Sequence, residues 1–249
     1  MLWIGERLGA LERACMRSVL RQGHDLVLWR YGSVDGVPEG VTLRDAGEVL
    51  PESAIVRHHT GSVALFSDRF RYELQRQGRG IWLDTDVYLL KPIPETETLL
   101  TEFEPGLING GVLRLPPESP LLPPLLALFE DEVIPHWLPL RARAAAFLRR
   151  LTTGRADLAL MPWGTAGPWA LTAYARELGL DRLAAPPPFY SPVSWPDAGW
   201  IRDPSKPLES RIHDCTIALH LWNERIKAFK EAPAAPGSFL ERLQREGAE

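Results

Sequence analysis

The sequence predicts an α/β protein with a mostly parallel central sheet flanked by helices. Two observations carry that expectation. Short apolar, β-branched runs alternate with segments whose apolar residues recur at helical spacing. Glycines and other turn residues close these runs, so the elements are short and their connections brief. The chain has 249 residues, 45% of them hydrophobic, which is enough to bury one large core.

Residues 2–4 form the first short strand. Residues 8–20 follow, with Leu8, Leu11, Ala14, Cys15 and Val19 on one helical stripe. Gly23-His24-Asp25 stops that helix, and Leu26-Val27-Leu28-Trp29 forms a second, parallel strand. A glycine-rich loop over 32–40, a short strand over 41–43 and a brief helix over 45–50 come next. Residues 63–77 read as a helix feeding the strand that begins at Ile81. Such a succession lays helices on both faces of a parallel sheet. Ligands of such sheets bind at the carboxyl ends of the strands. Trp3, the region after Trp29, and Asp84 with Asp86 all emerge there.

Beyond Pro94 the pattern is less regular. Residues 107–115 read as a strand or hairpin built around Asn109-Gly110-Gly111, and Pro116, Pro117 and Pro120 precede an apolar helix over 121–134. Gly167-Pro168 opens a helix through Glu177, because proline suits a first helical turn. Pro186-Pro187-Pro188, Pro192, Pro196 and Pro204 exclude regular helix across that stretch. Residues 232–237 are a linker before a short, charged C-terminal helix that reads as surface trim. The expected organisation is therefore one domain over 1–231, with linker and helix over 232–249.

Composition excludes some partners. The net charge is −4, with no overall basic footprint, so nucleic acid is not expected. Cys15 and Cys215 lie far apart with no Cys-x-x-Cys spacing and no signal-peptide pattern, which predicts a reduced, cytoplasmic protein. No apolar stretch approaches the roughly 20 residues that span a bilayer, so membrane contact is expected only at the periphery. The one basic amphipathic stretch, residues 139–155, carries Arg141, Arg143, Arg149, Arg150 and Arg155. It can lie on anionic lipid or steer a phosphorylated acceptor, although a solvated helix face is the commoner explanation.

The chemistry centres on Ile81-Trp82-Leu83-Asp84-Thr85-Asp86-Val87-Tyr88, an apolar run that ends in two carboxylates one residue apart. On a strand, Asp84 and Asp86 would project to the same side. Converging like charges at the edge of a core are costly unless a cation lies between them. Mg²⁺ or Mn²⁺ takes carboxylate and diphosphate oxygens together, so the pair points to a metal–diphosphate site. A bare Asp-x-Asp is common, however, and also caps turns.

The flanking sequence adds a resemblance. Phe66-Ser67-Asp68-Arg69-Phe70-Arg71-Tyr72-Glu73-Leu74 leads through Gly78 and Gly80 into the Asp-x-Asp segment and then Leu90-Lys91-Pro92. This block resembles the centre of the DXD-motif sugar-transferase family. That family includes bacterial capsule and lipopolysaccharide glycosyltransferases, yeast mannosyltransferases and, distantly, the clostridial glucosylating toxins. Leu2-Trp3-Ile4-Gly5 looks like its opening strand and Ile108-Asn109-Gly110-Gly111-Val112 like its acceptor-side segment. Gly164-Thr165-Ala166-Gly167-Pro168 looks like its Thr-Gly-Pro helix start, and His220-Leu221-Trp222 like its His-x-Trp. The chain departs from the pattern at Ala166, inserted before Gly167, and at Arg79, where many members carry a second glycine.

The resemblance implies a GT-A-type nucleotide-diphospho-sugar transferase fold over residues 1–231. It implies a metal-dependent, retaining hexosyltransferase using a nucleotide sugar, UDP-sugar favoured, with a glycan, glycolipid or polysaccharide hydroxyl as acceptor. Asp86 would coordinate Mn²⁺ or Mg²⁺, and Asp84 would contact the ion, its bound water or the ribose, with Thr85 between them. His220 would complete the site, although alone it reads as a core histidine; neutral imidazole is a competent Mn²⁺ ligand. Trp222 and Asn223 would line the diphosphate, and Trp3, beside Ile4, would stack on the nucleobase. Asp68 and Arg71 alone read as a surface ion pair. The resemblance instead sets them around the donor sugar's hydroxyls, with Ser67 and Tyr72 as neighbours. Asn109 and Gly110 suit the donor–acceptor junction, where glycine permits close approach and asparagine both donates and accepts, and a turn is the competing reading.

The implied chemistry is electrostatic stabilisation of the departing diphosphate, with the acceptor hydroxyl capturing an oxocarbenium-like carbon. A front-face route, in which the leaving phosphate oxygen takes the acceptor proton, needs no dedicated base. No second carboxylate pair argues for a covalent intermediate. Two alternatives have different signatures. A nucleotidyl- or phosphoryl-transfer enzyme would show a phosphate loop or an N-terminal Asp-x-Asp nucleophile, and neither is present. A non-catalytic nucleotide-sugar-binding protein would lack a metal ligand, and none is missing.

Overall fold

The run Leu26-Val27-Leu28-Trp29 lies at the centre of a three-stranded parallel sheet. In the computed structural model, which describes residues 1–130 and 133–249, β1 (Leu2–Trp3) and β3 (Val41–Asp45) flank β2 (Leu26–Arg30). Leu2 lies opposite Trp29, and Leu28 opposite Leu43. Helix α1 (Ala10–Arg21) buries Leu11, Ala14, Cys15 and Val19, the residues at helical spacing in the sequence. The expected helix after β3 is only a 3₁₀ turn, Ala46–Glu48, capped by Asp45 Oδ1 accepting from the Gly47 N–H at 2.8 Å. Helix α2 (Ala64–Arg76) buries Phe66, Phe70 and Leu74, and also Asp68 and Arg71.

The fold is α/β, but the sheet is not mostly parallel. Strands β4 (Trp82–Leu83), β6 (Leu99–Glu104), β7 (Leu107–Arg114) and β8 (Ala184–Ala185) form a mixed sheet in the order β4-β7-β6-β8, in which only β6 and β8 run parallel. Strands β5 (Val87–Leu89) and β9 (Ala218–His220) pair antiparallel. The cause is local: after Pro94 the chain returns through a hairpin instead of a helical crossover. Its two-residue connection is Pro105-Gly106, and Gly106 sits at φ +78°, which glycine adopts without strain. Asn109-Gly110-Gly111 is therefore not a turn; it lies within β7.

The apolar segment after Pro120 is helical over Leu122–Ala127 (α3) and tightens into a 3₁₀ turn at Leu128–Glu130. The expected continuation to 134 crosses residues 131 and 132, which lie outside the described residues. Helices α4 (Leu140–Thr153) and α5 (Pro168–Glu177) follow. Within the proline-rich stretch a short α-helix does form, α6 (Pro187–Tyr190), and a 3₁₀ helix over Trp195–Arg202, because prolines in a first turn need no N–H partner. A four-residue helix, α7 (Asn223–Ile226), follows β9.

The C-terminal helix α8 (Phe239–Ala248) is not surface trim. It packs on α1 and buries Phe239, Leu240 and Leu243 in one apolar cluster with Leu11, Ala14 and Cys15. Gly247 meets the Ala10 backbone so closely that a Cβ would not fit. A reciprocal cap fixes its start: Ser238 Oγ accepts from the Glu241 N–H at 3.2 Å, and Glu241 Oε2 accepts from the Gly237 N–H at 2.7 Å. Among the described residues no helix is long and apolar enough to cross a membrane.

Candidate functional site

Asp84 and Asp86 converge by a turn and not by strand alternation. Strand β4 stops at Leu83, and Asp84 donates its N–H to Gly111 O at 2.8 Å, holding the turn against β7. The Val87 N–H donates back to Asp84 O at 3.1 Å, and β5 begins. The β5–β9 register then sets Val87 opposite His220, while the Leu221 N–H donates to Asp86 O at 2.9 Å. One carboxylate-bearing turn and one distant strand are thereby fastened together. Ligand atoms of Asp84, Asp86 and His220 all lie within 4.8 Å of one another.

Each of the three is held by further contacts. Asp84 Oδ1 accepts from Trp82 Nε1 at 2.7 Å and faces Arg71 Nη2 at 3.2 Å. Asp86 Oδ2 accepts from the Asn223 N–H at 2.7 Å, and its Oδ1 lies 3.5 Å from His220 Nε2. Burial pushes the Asp86 carboxyl up, but His220 and the backbone donors outweigh it, so it stays below the usual carboxylate range. Burial pushes His220 down, and the charges of Asp86 and Asp84 outweigh that, raising it above its ordinary value. Asn109 Oδ1 accepts from the Gly111 N–H at 2.9 Å, which turns its Nδ2 toward His220 Nδ1 at 3.1 Å. Neutral His220 therefore accepts at Nδ1 and carries its proton on Nε2. Trp222 stacks on the imidazole, with centroids 4.0 Å apart and planes at 27°. It does so from a left-handed backbone (φ 60°), anchored by its Nε1 donating to Val193 O at 2.9 Å.

Asp68 and Arg71 are not a surface pair. Their side chains are 12% and 7% exposed, and Arg71 Nη2 lies between Asp68 Oδ1 at 3.5 Å and Asp84 at 3.2 Å. Burial raises the Asp68 carboxyl to about 6 against the pull of Arg71, with Asp84 adding to the rise. Ser67 contributes its Oγ to Arg71 Nη2 at 3.4 Å. Tyr72 is wholly buried and donates its hydroxyl to Ala166 O at 2.8 Å, fixing the segment before α5.

These groups form one wall of a cavity of about 420 Å³. Asp68, Arg71, Asp84, Asp86, Asn109 and His220 line it, with Trp222 and Asn223 beside them. Trp3, Ile4 and Thr85 do not. Trp3 packs against the apolar cluster of Leu8, Leu28 and Leu83, and its Nε1 is buried without a hydrogen-bond partner. An aromatic part of the lining went unread in the sequence: Phe103 from β6, Trp163, and Trp195 from the proline-rich stretch. Trp163 and Trp195 lie 5.9 Å apart, and Trp195 meets Trp222 at 5.6 Å. The only local signal was an excess of tryptophan, nine in the chain.

Three glycines make room for the polar wall. A Cβ on Gly110 would lie 2.5 Å from Arg71 Nη1, one on Gly111 3.0 Å from His220 Cε1, and one on Gly167 2.8 Å from Asp68 Oδ2. Gly110→Ala is accordingly expected to push Arg71 off Asp84 and to destabilise by about 1–3 kcal/mol. A denaturant melt checks this, and a wild-type midpoint would show that Arg71 has room to yield. Compared with models of known protein families and with curated proteins, the chain matches none.

Proposed function

We propose that this chain is a metal-dependent glycosyltransferase of the GT-A kind, a member of the DXD-motif sugar transferases. It would move a hexose from a nucleotide-diphospho-sugar to an acceptor hydroxyl. The observation that carries the reading is the convergence of Asp84, Asp86 and His220 at one wall of a cavity that also holds the buried Asp68–Arg71 pair. The mixed oxygen–nitrogen donor set fits Mn²⁺ better than Mg²⁺, which prefers oxygen ligands alone, and Asn223 Oδ1, buried without a hydrogen-bond partner, lines the same cavity. Asp84, Asp86 and His220 would hold the ion, which when bound supplies positive charge against the leaving diphosphate.

The chain's own residues would do the rest. Asp68 accepts from, and Arg71 donates to, hydroxyls of the donor hexose, and their mutual pairing fixes both in place. In the metal-free protein Asn109 donates to His220 Nδ1 and so orients the ring with Nε2 toward Asp86. For Nε2 to ligate the ion its proton must leave, with Nδ1 protonated and the Asn109 amide turned to accept from it. Phe103, Trp163 and Trp195 offer ring faces to the apolar face of an acceptor sugar. The acceptor hydroxyl attacks the anomeric carbon as the carbon–oxygen bond to the diphosphate breaks, and its proton leaves with the phosphate oxygen on the same face, giving retention.

A donor-hydrolysis screen of UDP- and GDP-sugars with Mn²⁺ tests this, because water can replace the acceptor. The expected products are nucleoside diphosphate and free hexose, formed only with metal and stopped by EDTA. Release of sugar phosphate would instead identify a nucleotidyl- or phosphoryl-transfer enzyme. No cleavage of any donor would overturn the assignment.

A further inference from the structure

Helix α4 turns its apolar stripe outward. Leu140 is 79% exposed, Phe147 56%, Leu148 62% and Leu151 68%, whereas Ala146 is buried and Ala142 packs on the core. At about 100° per residue, Leu140, Ala144, Phe147, Leu148 and Leu151 fall within an arc of roughly 100°, diametrically opposite Ala142 and Ala146. Water-facing leucines on a docked helix invert the usual pattern, since the polar side of such a helix normally faces solvent. Arginines edge the stripe: Arg143 and Arg150 on one flank, Arg141 on the other. Arg149 lies on the packed side, where it donates to Ala156 O at 2.9 Å. No acidic residue occurs from 140 to 156, although the whole chain carries −4.

We propose that α4 docks this protein on an anionic lipid surface, its apolar stripe entering the headgroup boundary and Arg141 and Arg143, one on each flank, pairing with lipid phosphates. Charge selects the occupant. Two copies meeting stripe to stripe would bring arginine against arginine, with no acid on either helix to offset them. A negative surface accommodates the whole set, and an apolar arc bordered by cations is the pattern of a helix lying in the membrane plane. The chain that leaves α4 contributes Leu158 and residues 162–166 to the cavity lining.

Flotation of the full chain with vesicles tests this independently of any catalytic activity. Wild type should float with phosphatidylcholine vesicles containing phosphatidylglycerol, stay behind with phosphatidylcholine alone, and release as salt is raised. Each of Arg141→Gln and Arg143→Gln should weaken binding about fivefold. Phe147→Ser with Leu151→Ser should abolish it without lowering the melting temperature, because both side chains are exposed. Wild type that ignores anionic vesicles, equal binding to neutral ones, or full binding by the serine variant would overturn the proposal. Self-association by light scattering that the serine variant removes, with no flotation, would assign the stripe to a second copy and would overturn it too.

Discussion

Asparagine in place of Asp86 is expected to remove divalent-cation binding and donor cleavage together. The variant keeps the shape and keeps an oxygen to accept from the Asn223 N–H, so the β5–β9 junction has no steric reason to open. It loses the charge that faces His220 and that, with Asp84, would hold the cation. Asp84 cannot replace it, because its Oδ1 is already taken by Trp82 and Arg71. Wild type should gain about 2.7 kcal/mol of stability from Mn²⁺ at a hundred times its dissociation constant, by mass action alone. Asp86→Asn should gain no more than about 0.4 kcal/mol at the same concentration, since removing a direct ligand costs at least the roughly 100-fold upper end seen at outer positions. Without metal the variant should be less stable at neutral pH by about 1.5–3 kcal/mol, the worth of hydrogen bonds to a charged group. The sign follows from the carboxyl being held below its usual 3.8: its stabilising contribution is present above that value and lost as pH falls through the folded value. Retention of the Mn²⁺-dependent rise in melting temperature by Asp86→Asn would remove the metal site.

What the sequence showed and what it hid divide by range. Helices α1 and α2 and strands β1–β3 follow from local periodicity, and they fold where it places them. Strand alternation gave the right outcome at Asp84 and Asp86 for the wrong reason, since the intervening turn does the work. The partnership of Asp86 with His220 depends on a register between β5 and β9, which no local pattern encodes; only the resemblance raised it. Gly110 and Gly167 were visible as glycines, but their use as space for Arg71 and Asp68 needs the packed structure. The aromatic wall draws Phe103, Trp163 and Trp195 from three separate segments, and nothing in any one segment announces the others. Helix α8 misled because Glu241, Arg242 and Arg245 dominate its composition while Phe239, Leu240 and Leu243 decide its packing.

Asp68 should make the metal-free protein less stable as pH rises, and Asp68→Asn should abolish that dependence. The carboxyl is buried, which raises it to about 6; Arg71 opposes the rise and Asp84 adds to it. In the unfolded chain the same group titrates near 3.8. As pH falls through about 6 the folded state takes up the proton first, so stability grows on acidification and levels off below about 4. Above about 6 the cost of the buried charge is fully present. A displacement of this size corresponds to roughly 3 kcal/mol between pH 4 and pH 8. Asparagine has no charge to bury, so denaturant melts in EDTA should show the variant gaining on wild type by about that amount across the range. Donor cleavage should move the other way. A hydroxyl that loses its charged acceptor costs about 1–3 kcal/mol, or roughly ten- to a hundredfold in rate, with UDP affinity unchanged. A stability gap that stays flat with pH would show that Asp68 does not titrate as its burial requires. Wild-type cleavage by the same variant would take Asp68 away from the sugar and leave it as a partner for Arg71 alone.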